Sequence, residues 1–489
     1  SVIRALNMGP ETIVGQIRPV ITSAEINRAK HAKKSFAAAW DSQFGSWEYQ
    51  AVMNQEKGTE IIVDWEDKTS VRMSAAQLYE IVFDGNNKWM LSANGTIFTY
   101  EYEAIIPGLL KRWYAERQDM QKKMRECGDN EIEREYWDKR QLVKKINLNS
   151  LYGAILNPGC RFFDIRIGQS VTLTGRCITK HMASKVNEIV AGKYDHKGES
   201  VVYGDTDSVY FSAYKTLQKE INEGVIPWTK DSVVALYDRI ADEVNGSFKS
   251  FMTKAFHTPS TRGEVIAAGR ELVASKGLFI TKKRYAVLYY DKEGKRADVD
   301  GKDGKMKAMG LDLKRSDTPV FVQDFLSDLL YMVLQGKDEK EVLEKISEFR
   351  AEFKSRPGWE KGSPKRANNM TKYTAAEEKA GRANMPGHVR ASMNWNRCRE
   401  MYGDKYSMPI TDGAKVIVCK LKQNPLGYTS IAYPVDEMRI PEWFKELPFD
   451  GDAMEATILD QKIDNLIGVL GWDVQSTETT NTFNKLFEF

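Results

Sequence analysis

Residues 203–210 read Tyr203-Gly204-Asp205-Thr206-Asp207-Ser208-Val209-Tyr210, and this stretch decides how the rest of the chain is interpreted. The residues before it, Val201 to Tyr203, and those that end it, Ser208 to Phe211, are β-prone. Gly204 to Thr206 are therefore predicted to form the tight turn of a β-hairpin. Two aspartate carboxylates then lie at the hairpin tip.

The spacing of Asp205 and Asp207 suits metal binding. Side chains two apart in an extended chain point to the same face, and carboxylate oxygens bind hard divalent cations. Two Mg²⁺ ions about 3.5 to 4 Å apart can stabilise the attacking and leaving oxygens of an in-line phosphoryl displacement. By itself, however, Asp-x-Asp at a turn is more often a solvated acidic loop, so the other motifs must decide.

Composition limits the number of domains and the class of protein. The chain has 489 residues, of which 42% are hydrophobic and 11% aromatic, and this predicts two to four packed units rather than disorder. No apolar run approaches the roughly 20 residues of a membrane span, so we expect a soluble, intracellular protein with no membrane partner. The five scattered cysteines and five histidines favour neither a disulfide framework nor a zinc site. The net charge of +3 does not indicate a partner.

Between residues 107 and 153 the apolar period changes to about 3.6, which predicts a helical hairpin. Its first helix opens at Pro107, its turn is Cys127-Gly128-Asp129-Asn130, and its second helix covers about 131–151. Many cations lie on it: Lys111, Arg112, Arg117, Lys122, Lys123, Arg125, Lys139, Arg140, Lys144 and Lys145. Acidic residues are interleaved, so an ordinary solvated face remains the alternative.

The end of the second helix has a more specific pattern. Lys145, Asn149 and Tyr152 are spaced i, i+4 and i+7, so they share one face. A cation, an amide and an aromatic ring on one face can meet a triphosphate and a base, and Gly153 allows another chain to approach closely.

Three motifs, taken in chain order, resemble those of a known protein family. Lys145-x-x-x-Asn149-Ser150-x-Tyr152-Gly153, then Tyr203 to Ser208, then Lys282-Lys283-Arg284-Tyr285 resemble the family B (polymerase alpha-like) DNA polymerases. Similarity in the stretch Ser1 to Thr12, in Met306-Lys307-x-Met309-Gly310, in His388-Val389-Arg390 and in the tail points to the replicative polymerases of T-even-like bacteriophages.

The resemblance implies an α+β fold, a right-hand polymerase with an antiparallel palm sheet and helices, helical-hairpin fingers and a largely helical thumb. The implied domains are 1–105 palm, first part, 106–158 fingers, 159–312 palm with the catalytic hairpin, 313–474 thumb, and 475–489 clamp-binding tail. The implied activity is template-directed DNA synthesis by a DNA-directed DNA polymerase, a nucleotidyltransferase. Primer-template DNA, dNTP, two Mg²⁺ ions and the cytoplasm of an infected bacterial host follow from the same resemblance.

The resemblance also assigns roles to residues. Asp205 and Asp207 match the catalytic, metal-binding pair of the palm, and nucleotide binding is assigned to Arg117, Lys145, Asn149 and Tyr152. Charge-assisted bonds from Arg117 and Lys145 would neutralise charge on the transferring phosphate. For Arg117 a surface helix position, and for Tyr152 ordinary core packing, remain the alternatives.

Two further features concern cations. Where similar polymerases have a second cation one turn after Arg117, this chain has Gln121, with Lys122 as a possible substitute. Lys282, Lys283, Arg284 and Tyr285 match a segment that holds the primer terminus, and a basic cluster beside an aromatic ring suits a duplex backbone. As a bare motif the segment would more often be a solvated strand edge.

One catalytic residue of the family is missing. Its other aspartate lies in a motif similar to Asp-x-x-Ser-Leu-Tyr-Pro, immediately before the residues that correspond to Ser1-Val2-Ile3-Arg4. We therefore expect the carboxyl part of a split polymerase, which needs an amino-terminal polypeptide for that aspartate and for the proofreading exonuclease. A fragment of a longer chain fits equally well.

The alternative function is a non-catalytic DNA- and clamp-binding module derived from a polymerase. The presence of Asp205, Asp207, Lys145 and Arg117 favours the catalytic interpretation. Two carboxylates held close together repel each other, and a bound metal offsets that cost.

The thumb region begins with a predicted helix. Asp317-Thr318-Pro319 starts it, apolar residues follow every fourth position from Phe321 to Val333, and Gly336 stops it. A second helix has Val342, Ile346 and Phe349 on its apolar side. Residues 354–379 are polar, basic and contain Gly and Pro, which predicts a mobile connection.

The tail ends in a concentrated apolar cluster. A polar, Thr-rich tether over 475–481 precedes Phe483, Leu486, Phe487 and Phe489. In the similar phage polymerases such a tail docks in a hydrophobic pocket of a sliding clamp, which makes these four side chains candidate anchors. The alternative is a terminal segment folded back onto the thumb.

Overall fold

The computed structural model describes residues 1–19, 57–373 and 385–474. The chain divides into two compact units, Ser1–Arg270 and Glu271–Phe489, and each is described by itself. Both mix helices with antiparallel sheets, as the α+β prediction requires. Within the described ranges, no helix is both long enough and apolar enough to cross a bilayer.

Long helices and short strands alternate in the first unit. Its helices are α1 Val2–Ala5, α2 Ala75–Tyr79, α3 Ile105–Glu126, α4 Glu131–Ile155, α5 Ile165–Ala191, α6 Gln218–Asn222, α7 Lys230–Phe256 and α8 Ser260–Gly263, with a 3₁₀ turn at Pro10–Thr12 and a π-turn at Glu80–Asp84. Its strands are β1 Ile13–Pro19, β2 Glu60–Trp65, β3 Ser70–Ser74, β4 Trp89–Leu91, β5 Thr96–Thr99, β6 Val201–Asp205 and β7 Ser208–Phe211.

The first five strands form one antiparallel sheet in the order β3-β2-β1-β5-β4. Gln16 of β1 is central, opposite Asp64 of β2 on one side and Thr96 of β5 on the other. The hairpin of β6 and β7 forms a separate two-stranded sheet.

The first residues of the chain lie in the core of this unit. Leu6 and Met8 are fully buried. The Asn7 amide donates to the carbonyls of Thr99 and Tyr102, at 2.9 and 2.8 Å. A carboxylate oxygen of Glu11 accepts the backbone N–H of Ile105 at 2.6 Å, so it caps the first turn of α3. The start of α3 is thus fixed to a segment more than 90 residues earlier.

The second unit contains the remaining elements. Its helices are α9 Val320–Gln335, α10 Glu339–Ser355, α11 Gly387–Met401, α12 Glu442–Lys445, α13 Gly451–Glu455 and α14 Gln461–Ile467, with 3₁₀ turns at Asp312–Lys314, Gly358–Lys361 and Gly468–Leu470 and a π-turn at Ala456–Asp460. Its strands are β8 Leu272–Thr281, β9 Arg284–Lys292, β10 Lys295–Arg296, β11 Lys305–Met309, β12 Ser363–Ala367, β13 Ala414–Lys420 and β14 Ser430–Pro434.

Two antiparallel sheets and a helical layer build the second unit. In one sheet β9 pairs with β8, β10 and β11, and the other has the order β12-β13-β14. The two helices predicted after residue 317 are confirmed as α9 and α10, and Gly336 ends α9 with φ +86°. Phe325 and Phe349 stack across them with ring centroids 3.9 Å apart.

The predicted mobile connection over 354–379 is wrong for the part that the structure describes. Residues 358–361 form a 3₁₀ turn and β12 pairs with β13. A side chain at Gly358 would collide with Phe449, and a Cβ at Gly362 would lie 2.5 Å from Ile417 Cγ2. These glycines therefore permit close packing rather than mobility.

Candidate functional site

The hairpin predicted from residues 203–210 is confirmed, but its turn lies further along the chain than expected. Asp205 ends β6 and pairs with Ser208, which begins β7, and Gly204 pairs with Val209 inside the strands. The turn is therefore Thr206–Asp207, and Thr206 has φ +37°. Gly204 was wrongly assigned to the turn, because the left-handed position is taken by a threonine.

Asp205 ends β6 and Asp207 lies in the turn, so the two aspartates are on either side of Thr206 rather than alternating along an extended strand. Thr206 Oγ1 donates to Asp205 Oδ1 at 3.1 Å. Asp207 is exposed, and no described residue donates a hydrogen bond to it. Thr179 of α5 donates its hydroxyl hydrogen to the carbonyl oxygen of Thr206 at 2.8 Å. The turn is thus joined to a long helix of the same unit.

The carboxylates of Asp205 and Asp207 can supply part of a magnesium site. Over residues 1–19, 57–373 and 385–474, no group of three or more His, Cys, Asp or Glu side chains could hold a metal ion. Mg²⁺ in nucleotide-dependent enzymes is usually bound by one or two carboxylates, several waters and substrate phosphates. Asp205 and Asp207 supply the protein oxygens that such a site needs.

The predicted helical hairpin is confirmed as α3 and α4, joined by a turn at residues 127–130. Asn130 caps α4 by accepting the N–H of Glu133. Arg117 Nε donates to Gln141 Oε1 at 3.1 Å, and the Lys123 ammonium lies 4.8 Å from the Trp137 ring centroid. These pairings run in opposite directions along the two helices, so the helices are antiparallel.

Three of the nucleotide-binding candidates lie on the second half of α4, and the fourth, Arg117, lies on α3. Lys145 and Asn149 are exposed, and neither forms an ion pair or hydrogen bond with a described residue. Tyr152 is half-buried, and its hydroxyl donates to the carbonyl oxygen of Gly168 at 3.3 Å. Arg117 is half-buried against α4.

Most other cations of the hairpin are paired with acids on the hairpin itself. Lys122 lies 3.8 Å from Glu126 on the solvent side, whereas Gln121 is half-buried, so the two side chains lie in different environments. Lys144 pairs with Glu116 and lies 5.6 Å from the Trp113 ring centroid. Lys122 therefore fits the solvated-face interpretation, whereas Lys144 joins the two helices, and Lys145 differs from both because it has no ion pair with a described residue.

Gln141 is a candidate functional residue that the sequence motifs did not indicate. It lies one helical turn before Lys145, on the same face of α4. Its Nε2 donates to Asp138 Oδ1 at 2.9 Å, which fixes the amide so that Oε1 accepts from Arg117. The i, i+4 spacing from Lys145 was the signal that could have revealed it.

The structure separates the four residues of the basic motif. Lys282 and Lys283 form the exposed tip of the β8–β9 hairpin, and Lys283 has φ +66°. Arg284 donates to Asp312 Oδ2 and to the Asn465 carbonyl, each at 3.3 Å. Tyr285 is only 8% exposed and stacks on Phe279, with ring centroids 5.5 Å apart. The tip lysines are thus presented to solvent, while Arg284 and Tyr285 pack within their own unit.

The proposed clamp anchors Phe483, Leu486, Phe487 and Phe489 lie outside the described residues.

Comparison with known proteins adds an independent finding. The family profile described as "DNA polymerase family B" matches residues 52–252 and 264–371, which together exceed half of the chain. The chain belongs to DNA polymerase family B. The matched ranges of this family B chain include the Asp205–Asp207 turn, the α3–α4 hairpin and the β8–β9 tip.

Several curated proteins are similar to this family B chain. The DNA-directed DNA polymerases of Escherichia phage RB69 and Enterobacteria phage T4 are each 30% identical to it, over 306 and 309 residues. Each of these alignments covers 60% of this chain and 33% of the phage protein. The DNA polymerase delta catalytic subunit of Oryza sativa subsp. japonica is 29% identical over 238 residues, which are 48% of this chain and 18% of the plant protein. The family B chain therefore spans about a third of the length of the phage relatives.

Proposed function

We propose that this chain provides the polymerising part of a DNA-directed DNA polymerase, which transfers a nucleotidyl group from a dNTP to a primer 3′ end under the direction of a template. One observation carries the proposal. Asp205 and Asp207 lie on either side of Thr206 at the tip of an antiparallel hairpin, in a chain that belongs to family B. The named activity of the phage relatives supports it.

The chain's own residues would then have distinct tasks. Asp205 and Asp207 would hold Mg²⁺, which supplies charge stabilisation to a transferring phosphate. Lys145 and Arg117 would bind the triphosphate through charge-assisted hydrogen bonds, with Asn149 beside them on α4. Tyr152, whose hydroxyl donates to the Gly168 carbonyl, would pack its ring beneath the nascent base pair.

The domain assignment follows from this function. Residues 1–105 and 159–312 would form the palm, 106–158 the fingers and 313–474 the thumb. The α3–α4 hairpin supports the fingers assignment, because it carries the exposed Lys145 and Asn149. The exposed Lys282 and Lys283 would contact primer-template phosphates.

A further carboxylate is part of the proposal. Among the residues that the structure describes, no third His, Cys, Asp or Glu side chain joins Asp205 and Asp207 in a group that could hold a metal ion. An amino-terminal polypeptide, either separate or part of a longer chain, would supply the other aspartate and an exonuclease. Polymerase activity would then depend on that polypeptide.

The proposal also includes a sliding clamp and a host compartment. The tail residues Phe483, Leu486, Phe487 and Phe489 would dock on the clamp and raise the enzyme's effective concentration at the primer end. The phage relatives support action in the cytoplasm of an infected bacterium.

The test is primer extension by this chain together with the polypeptide encoded immediately upstream. The combined sample should extend a primer, whereas Asp205→Asn and Asp207→Asn should each reduce kcat by several orders of magnitude. Loss of a metal ligand removes several kcal/mol of transition-state stabilisation. Asp129→Asn, in the exposed turn between α3 and α4, is the matched control and should keep full activity.

A second candidate is a non-catalytic DNA- and clamp-binding module. The exposed Lys282 and Lys283 at the tip of the β8–β9 hairpin favour it, because contacts with duplex phosphates need no metal site. Duplex binding without any Asp205-dependent extension in the combined sample would establish the module and contradict the polymerase.

A further inference from the structure

The turn that carries Asp205 and Asp207 is held by a residue on another element. Thr179 of α5 donates its hydroxyl hydrogen to the carbonyl oxygen of Thr206 over 2.8 Å. Thr206 lies directly between the two aspartates. Its backbone orientation therefore sets the directions in which both carboxylates leave the turn.

Thr206 has a backbone conformation that needs external support. Its φ of +37° lies in the left-handed region, which is unfavourable for a β-branched residue. Such conformations persist only where surrounding contacts impose them. The hydrogen bond from Thr179 is one such contact, because it reaches the turn from outside the hairpin.

The helix that carries Thr179 is well anchored. Cys177 and Ile178, the two residues before it, are 5% and 9% exposed and belong to the core of the first unit. Thr179 itself is only half-buried, so its hydroxyl can reach the turn. The contact thus joins an exposed turn to a rigid support.

Thr179 has a second acceptor within its own helix. Its hydroxyl oxygen lies 3.0 Å from the carbonyl oxygen of Gly175, one turn earlier. A hydroxyl has one hydrogen, so the two carbonyls compete for it, and the shorter distance is to Thr206. Thr179 would remain satisfied without the hairpin, whereas the carbonyl of Thr206 would lose this hydrogen bond from α5.

We propose that Thr179 is a positioning residue, which holds the Thr206 turn so that the carboxylates of Asp205 and Asp207 converge on one divalent cation. This inference rests on the proposed function. Thr179 touches neither substrate nor metal in this role. It acts on the metal site only through the turn carbonyl.

The helix provides a matched control. Thr172 also lies on α5, and its hydroxyl bonds to the carbonyls of Gly168 and Gln169, at 3.1 and 3.2 Å. It therefore makes the same kind of backbone contact within the helix but none with the hairpin. Thr172→Val and Thr179→Val remove the same group from the same helix, and only Thr179→Val removes the link to the turn.

The test measures Mn²⁺ binding to the full chain by electron paramagnetic resonance, with thermal unfolding of each variant as the check on folding. Thr179→Val should weaken Mn²⁺ binding by roughly tenfold, as loss of an outer support of a metal ligand does. Thr179→Ser should retain wild-type binding, since it keeps the hydroxyl. Thr172→Val should bind Mn²⁺ as the wild type does.

Two results would overturn the inference in different ways. Equal Mn²⁺ binding by Thr179→Val and Thr172→Val would remove the role of Thr179 and leave the proposed function intact. Mn²⁺ binding that is unchanged in Asp205→Asn and Asp207→Asn would remove the metal site itself, and with it both proposals. A metal dependence of extension that shifts to higher Mg²⁺ in Thr179→Val, with unchanged primer-template affinity, would support the role in the combined sample.

Discussion

Arg117 Nε donates a hydrogen bond to Gln141 Oε1 over 3.1 Å, and this contact joins the two long helices of the hairpin. Asp138 holds the Gln141 amide from the other side at 2.9 Å. Gln141 precedes Lys145 by one helical turn. The Arg117 guanidinium is therefore held about one turn of α4 away from the exposed ammonium of Lys145. Under the proposed function, these two cations from different helices would bind one triphosphate.

The first prediction concerns these two cations. Lys145→Ala and Arg117→Ala should each raise the KM for dNTP by roughly ten- to a hundredfold, because a hydrogen bond to a charged group contributes about 1.5 to 3 kcal/mol. Steady-state extension with the upstream polypeptide present gives KM and kcat. The control is Lys139→Ala, since Lys139 on the same helix pairs with Glu135. An equal change in KM for the control would mean that general surface charge is responsible.

The second prediction separates the members of the basic motif. Lys282→Ala combined with Lys283→Gly should weaken primer-template binding and lower the slope of log K against log salt by about two, because two phosphate contacts are lost. Glycine accepts the positive φ of position 283, so folding should be preserved. Fluorescence anisotropy at several salt concentrations measures the slope. Lys340→Ala, which removes an exposed charge from α10, should leave it unchanged.

The third prediction concerns a buried ion cluster in the second unit. Arg350 is 2% exposed, and its Nη1 lies 3.2 Å from Glu455 Oε1 and also contacts Asp460. Burial already raises the pKa of the Glu455 carboxyl. Removing one partner of a buried pair leaves an uncompensated charge, so Arg350→Met should lower the free energy of unfolding by about 3 to 5 kcal/mol.

A double variant makes this third prediction specific. Arg350→Met with Glu455→Leu should recover much of the loss, because both buried charges are removed together. Urea unfolding measures all variants, and Lys345→Met on the exposed side of α10 should change stability by less than about 0.5 kcal/mol. If the double variant were less stable than Arg350→Met, the cluster would contribute more than charge compensation.

The fourth prediction is a pH dependence of stability from His181. Its ring stacks on Phe251 with centroids 4.0 Å apart. Its two nitrogens lie 2.7 Å from the Tyr194 hydroxyl and 2.9 Å from the Ser247 hydroxyl. Burial lowers the pKa of His181 from 6.5 to about 4, with a smaller contribution from the positive charge of Lys185.

The direction of this pH dependence follows from the protons that the folded and the unfolded chain bind at His181. Between pH 6.5 and about 4 the unfolded chain binds a proton at His181 and the folded chain does not, so stability is complete above pH 6.5 and falls as the pH drops. The loss approaches about 3 kcal/mol at pH 4. In His181→Gln the free energy of unfolding should decline less over this interval than in the wild type. Parallel urea curves at several pH values measure this, and identical slopes would exclude a role for His181.

Local signals in the sequence predicted α3, α4, α9 and α10 correctly, whereas α5 and α7 were not predicted. Asn130 marks the start of α4 and Gly336 the end of α9, because capping and the left-handed glycine act within a few residues. The hairpin around Asp205 was also predictable, since β-propensity on both sides of a turn is a local property. Its turn was misplaced because glycine is the expected left-handed residue, whereas here Thr206 has that conformation with support from Thr179.

Contacts between residues far apart in the sequence explain why the 354–379 segment and the basic motif were not predicted correctly. Gly358 and Gly362 indicated flexibility until Phe449 and Ile417, far along the chain, were found packed on them. The burial of Tyr285 depends on its pairing with Phe279, in a register that shifts along β8 and β9. Neither a spacing rule nor composition contains such a register, so the motif could not show which of its members face solvent.

The hydrogen bond from the Ile105 N–H to Glu11 fixes the first turn of α3, so a change in the direction of this helix moves its far end more than its start. At 1.5 Å per residue, Arg117 lies about 18 Å beyond that base. A tilt of only about 10° around the cap would displace the guanidinium by roughly 3 Å, which is the full length of a hydrogen bond. The Glu11 carboxylate, in the first dozen residues, therefore affects how accurately Arg117, about a hundred residues later, is positioned.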